Sequence, residues 1–88
     1  MTENVMHPIL FVGVKTDPMN LAPVIVKHIK EKDEAVLRAA GPIAISNACK
    51  SIVRAQDMEV GGKIGVIMSK FSEPGIAGMQ YDLFLLED

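Results

Sequence analysis

Apolar positions along the chain change period several times, and the changes divide it into six segments. Ile9-Leu10-Phe11-Val12-Gly13-Val14 is a short, nearly continuous apolar run, the pattern of a strand covered on at least one face. Lys15-Thr16-Asp17-Pro18 stops it with a turn signal. Beyond it, Leu21, Ile25, His28 and Ile29 recur with Ala22 and Val24 at helical spacing. Asn20 reads as the N-cap of that helix, with Pro23 in the first turn, where a missing N–H costs nothing. The charged stretch Lys30-Glu31-Lys32-Asp33-Glu34 ends the helix in solvent.

Ala35-Val36-Leu37-Arg38-Ala39-Ala40 reads as a second strand. Gly41-Pro42 breaks it and opens a second helix, with the proline near the first-turn position that it favours. In that helix Ile45, Ala48, Cys49 and Ile52 form an apolar stripe, flanked by the polar Asn47, Lys50, Ser51 and Arg54. After Gly61-Gly62, two β-rich segments follow, Lys63–Phe71 and Met79–Leu86. The loop between them contains Ser72, Pro74, Gly75 and Gly78, which predicts a hairpin with a long tip. The expected fold class is therefore α/β, a two-layer sandwich with the order β-α-β-α-β-β. Right-handed crossovers place both helices on one face of a four-stranded mixed sheet. The other face, and the apolar Met and Ile positions of the hairpin, stay uncovered unless a partner covers them. Self-association is thus expected, with a twofold homodimer the simplest form and a higher homo-oligomer possible. No repeat, linker or low-complexity segment divides the chain, so residues 1–88 read as one domain.

Composition narrows the chemistry. Hydrophobic residues make up 49% of the chain and aromatics only 5%, so the core is aliphatic and disorder is excluded. Cys49 is the single cysteine, which rules out a disulfide framework and argues for a reducing compartment. Its place on the helical stripe, beside Ala48, reads as core packing. No Cys/His cluster offers a metal site, and no apolar run approaches the ~20 residues of a membrane span. Met1 to His7 carries Glu3 and lacks a basic stretch, unlike a signal peptide, so the expected location is cytoplasmic. His28 reads as structural, and neither it nor His7 has a triad-like neighbour. No glycine-rich dinucleotide or P-loop pattern is present. The expectation is a protein without catalytic residues, cofactor or metal.

The net charge of −2 weighs against a strongly basic partner surface. Its distribution is uneven. From Lys15 to Lys70 there are nine basic residues against six acidic ones, whereas Glu73 to the end holds four acids and no base.

Ile9 to Val14, Lys15-Thr16-Asp17-Pro18-Met19-Asn20-Leu21-Ala22, Gly41-Pro42-Ile43-Ala44, and Ala48-Cys49-Lys50-Ser51-Ile52 with Arg54 resemble the stage V sporulation protein S family. That family is similar to the Alba group of archaeal chromatin and RNA-binding proteins. The resemblance implies an Alba-like fold, a dimer or larger assembly, and binding of DNA or RNA at low sequence specificity. It implies ligand contacts from Lys15 at the end of the first strand, Lys50 and Arg54 on the second helix, and Lys70 near the hairpin tip. Met19 and Pro23 depart from the family pattern, and Glu73 places an acid at the tip. Gly41 at a helix start could present backbone N–H groups to a phosphate, and the same glycine also fits an ordinary strand-to-helix turn. The lysines and arginine likewise read as phosphate contacts or as ordinary solvated charges. Two functions therefore stand side by side: a nucleic-acid-binding protein, regulatory in a sporulation-type process, or an assembly module that keeps the fold without that ligand.

Overall fold

Six elements follow one another in the order read from the hydrophobic pattern, in a computed structural model that describes residues 9–58 and 60–86. They are β1 (Ile9–Val12), α1 (Pro18–Lys32), β2 (Glu34–Ala39), α2 (Pro42–Asp57), β3 (Lys63–Glu73) and β4 (Ile76–Leu86). The segment Met1 to His7 and the acids Glu87 and Asp88 lie outside the described residues.

Local chemistry sets the boundaries, and in places it overrides the spacing. β1 stops at Val12 rather than Val14, because Gly13 and Thr16 close a turn. The Gly13 N–H donates to Thr16 Oγ1 at 2.8 Å, and the Thr16 N–H donates back to the Gly13 carbonyl at 3.2 Å. The N-cap of α1 is Asp17 and not Asn20, since Asp17 Oδ1 accepts the Met19 N–H at 2.9 Å and Pro18 takes the first helical position. Pro23 consequently lies inside the helix, where its ring leaves the Met19 carbonyl without its usual donor. Met19 is exposed, so water can serve that carbonyl. The helix ends at Lys32, earlier than the charged run implied. Asp33 terminates it with φ 66°, its N–H closing onto the Ile29 carbonyl.

The sheet order is β1-β2-β4-β3, with β1 parallel to β2 and the remaining pairs antiparallel. Alternation along β2 buries Ala35, Leu37 and Ala39, which pair with Leu83, Tyr81 and Met79 of β4 on the helix side. Against them pack Ala22, Ile25, Val26 and Ile29 of α1 and Ala44, Ala48, Ser51 and Ala55 of α2. Small residues let α2 lie close to its neighbours, and this rotates its buried face away from the stripe read in the sequence. Cys49 is exposed, and Ser51 is fully buried in its stead. The Ser51 hydroxyl is satisfied by donating to the Asn47 carbonyl at 2.7 Å, the i−4 bond that a helical serine can make. The helices cover β1, β2 and β4 and leave most of β3 bare: Val66, Ile67 and Met68 are 40%, 58% and 62% exposed. No helix among the described residues is long and apolar enough to cross a membrane.

The hairpin differs from the expected long loop. β3 and β4 run unbroken for 11 residues each and are joined by Pro74-Gly75 alone. Pro74 presets the first turn position, and Gly75, at φ 87°, takes the conformation closed to most side chains. Ser72 and Gly78, read from the sequence as loop residues, are paired strand positions. Gly78 lies opposite Phe71 and against the end of β2, where a Cβ would run into the Ala39 carbonyl oxygen. The hairpin thus projects beyond the end of β2, which pairs only as far as Met79.

Candidate nucleic-acid interface

Strand direction decides which loops meet. β1 and β2 are parallel, so the Lys15 loop after β1 and the Gly41 turn after β2 emerge at the same end of the sheet. β4 is antiparallel to β2, with Ala39 opposite Met79, so the hairpin tip projects from that end as well. Lys15, Gly41 and Lys70 are therefore gathered there from three separate parts of the chain.

Gly41 and Lys70 line one shallow groove of about 460 Å³, together with Ile45, Phe71, Ser72 and Met79. Gly41 caps α2 at φ 89° and accepts the Ile45 N–H at 2.9 Å, but has no side chain with which to cap the helix. Pro42 carries no N–H, which leaves the N–H groups of Ile43 and Ala44 without an intrahelical acceptor. A helix terminus of this kind carries partial positive charge. Lys70, across the groove on β3, adds a full one.

The Lys15 loop is held by α2. Asn47 Nδ2 donates to the carbonyls of Gly13 and Val14, at 3.1 and 3.2 Å. This clamp was not legible in the sequence, where Asn47 was merely one polar residue on a helix flank. One and two turns further along α2, Lys50 and Arg54 line a second cleft of about 430 Å³ with Asp17, Met19, Asn47 and Asp57. They sit about 12 and 18 Å along the helix axis from Pro42, so they extend away from the sheet end rather than joining it. Two carboxylates share their cleft, and its charge is mixed.

Arg38 is the other basic residue whose surroundings matter. It projects from β2 onto the face opposite the helices and donates through Nη1 to Glu73 Oε2 at 2.7 Å and through Nε to Gln80 Oε1 at 2.8 Å. Its guanidinium lies 4.9 Å from the centre of the Phe71 ring. The acid at the hairpin tip is thereby paired, and Phe71 is buried beneath the guanidinium rather than between the layers. Nothing in the sequence tied Arg38 to Glu73, 35 positions later. Phe11 is 68% exposed on the same face, and Tyr81 is buried on the other. Burial, then the neighbouring Cys49 thiol 3.9 Å from its hydroxyl, pushes the Tyr81 pKa up to about 12. Among the described residues no group of three His, Cys, Asp or Glu could hold a metal.

The fold is similar to that of Alba from Thermoplasma volcanium, with a TM-score of 0.60 over 88% of this chain and 99% of that one, at 17% identity. No curated protein matches the sequence. The pattern of the stage V sporulation protein S family matches residues 8–80, which include five of the six elements whole and β4 as far as Gln80. With that match covering most of the chain, and with the Alba-like arrangement of its sheet and helices, the protein belongs to the stage V sporulation protein S family.

Proposed function

We propose that this protein binds nucleic acid, DNA or RNA, without catalysing a reaction on it, at the sheet end where the Lys15 loop, the start of α2 at Gly41 and the hairpin bearing Lys70 converge. The observation that carries this reading is the N-terminus of α2 at Gly41, capped by no side chain, lining one open groove with Lys70. Phosphate needs that combination of donors and charge, and it needs no cofactor. Lys50 and Arg54 extend the contact along α2, beside Asp17 and Asp57, which temper its strength. The fold it shares with an Alba protein is consistent with this reading. Contacts made to phosphate rather than to base edges give low sequence specificity. The reading extends to a self-associated protein of the cytoplasm, regulatory in a sporulation-type process.

Titration of mixed-sequence duplex and single-stranded oligonucleotides at several salt concentrations tests it. Affinity should fall as salt rises, and alanine at Lys15, Lys50, Arg54 or Lys70 should each reduce the salt slope by roughly one unit, alike across sequences. Absence of binding at low salt by the intact, associated protein would leave the assembly module as the better reading. One observation favours that alternative: the run Val66-Ile67-Met68 on β3, which is apolar, exposed and unrelated to the basic end.

A further inference from the structure

Arg38 leaves β2 one residue before the strand ends, on the sheet face that the helices do not cover. Gln80 pairs with both Arg38 and Ser69, so alternation puts Ser69, Phe71 and Glu73 of β3 on that face as well. The arginine side chain therefore runs along the projecting hairpin. Three contacts hold it there. Nε donates to Gln80 Oε1 at 2.8 Å, Nη1 donates to Glu73 Oε2 at 2.7 Å, and the guanidinium lies 4.9 Å from the centre of the Phe71 ring. Gln80 is oriented in its turn, because its Nε2 donates to the Asp82 carboxylate at 3.3 Å.

These contacts are not equivalent. Gln80 fixes one edge of the guanidinium and Phe71 its face, and both residues belong to the paired body of the hairpin. Glu73 is the last residue of β3, beside the Pro74-Gly75 turn, and its side chain is 53% exposed. It engages one N–H through one oxygen, where an arginine fork can offer two parallel bonds. An ion pair exposed to this extent contributes little to stability. Of the five guanidinium N–H groups these bonds use two, and the others meet no acceptor among the described residues. With Glu73 turned aside, what remains is an oriented, planar cation with open donors. A phosphate diester supplies the same kind of acceptor oxygen as a carboxylate, with the same charge. Lys70 stands on the opposite face of the same hairpin, so each face carries one cation.

We propose that Arg38 is a further phosphate-binding residue of this protein, occupied by Glu73 in the free chain and passed to a nucleic-acid phosphate as Glu73 swings into solvent. The proposal rests on the nucleic-acid reading above and adds a contact on the face away from the groove of Gly41 and Lys70. Charge balances in the exchange, since one anion leaves Arg38 as another arrives. Glu73 thereby limits affinity, because every phosphate at Arg38 must first displace it.

Two measurements on the full chain test this, with a mixed-sequence duplex oligonucleotide as the probe. In anisotropy titrations, Glu73→Gln should bind roughly fivefold more tightly than the wild type at low salt, with a salt slope steeper by about one unit. Phenylglyoxal labelling followed by mass spectrometry reads the guanidinium directly, since Arg38 and Arg54 are the only arginines in the chain. Arg38 should react faster in Glu73→Gln than in the wild type, and saturating oligonucleotide should slow its reaction in both. Labelling of Arg38 at the same rate with and without bound oligonucleotide would overturn the exchange and leave the nucleic-acid reading standing. Unchanged or weaker binding by a Glu73→Gln variant with native circular dichroism would make the ion pair a strut, and would overturn it equally. Absence of binding by both proteins at low salt would overturn the functional reading and this proposal together.

Discussion

Tyr81 is the one tyrosine of a chain without tryptophan, and its hydroxyl is buried beside the Cys49 thiol. Burial raises its pKa from 10.0 to about 12, so the folded protein holds a proton that the unfolded chain releases. Stability should therefore fall as pH rises from about 10 to about 12, because the native state binds more protons across that window. Tyrosinate absorbance should appear only near the upper limit, and Cys49→Ala should move its onset to lower pH, since the thiol contributes to the shift. Cys49 itself, expected from the helical stripe to be inert and buried, is exposed and should react with a thiol reagent in the native protein almost as fast as in denaturant. Its periodic position was readable in the sequence. The rotation of α2 was not, because a stripe containing Ala44, Ala48, Ser51 and Ala55 lets the helix turn by a residue without losing contact. Ser51→Leu should report that rotation by destabilising the protein by roughly 1–3 kcal/mol, the cost of overfilling a packed site.

Single side chains act here by holding one element against another. Asn47 fixes the Lys15 loop to α2 through two carbonyls, and Asn47→Ala should cost about 1 kcal/mol in denaturant unfolding. If the loop contributes to phosphate binding, the same substitution should weaken oligonucleotide affinity to an extent comparable with Lys15→Ala. Gly78→Ala should destabilise by about 3 kcal/mol, because the added Cβ meets backbone of β2 that cannot swing aside. The hairpin around it shows how far local signals reach. Ser72, Pro74, Gly75 and Gly78 carry turn chemistry, and only Pro74-Gly75 turns. Gly78 stays in the strand because it pairs with Phe71 and lies against the backbone of Ala39, which is distant in sequence. The start of α1 at Asp17 rather than Asn20 has a related reason. Asp17 and Asn20 are both good caps, and the preference of Pro18 for the first helical position favours Asp17.

Charge is a property of the whole molecule, and a net −2 makes any nucleic-acid contact depend on where the charges lie. Glu73 is paired with Arg38 at the hairpin tip, so Arg38→Ala should remove a positive charge, leave that carboxylate unneutralised and lower oligonucleotide affinity at low salt. It should also uncover Phe71 and cost about 2 kcal/mol of stability, measured by urea unfolding. The sequence by itself determined the six elements, their order and the two-layer plan, because hydrophobic period, Gly41-Pro42 and the turn residues act within a few positions of one another. It also supplied the candidate cations one by one. Tertiary structure alone decided which of them meet: strand direction brings Lys15, Gly41 and Lys70 to one end and leaves Lys50 and Arg54 in a cleft with two carboxylates. It alone paired Arg38 with Glu73 and capped one end of β3 with Gln56. Periodicity specifies the direction of a side chain relative to its own element, whereas a site depends on distances between elements, and those follow from sheet register and packing.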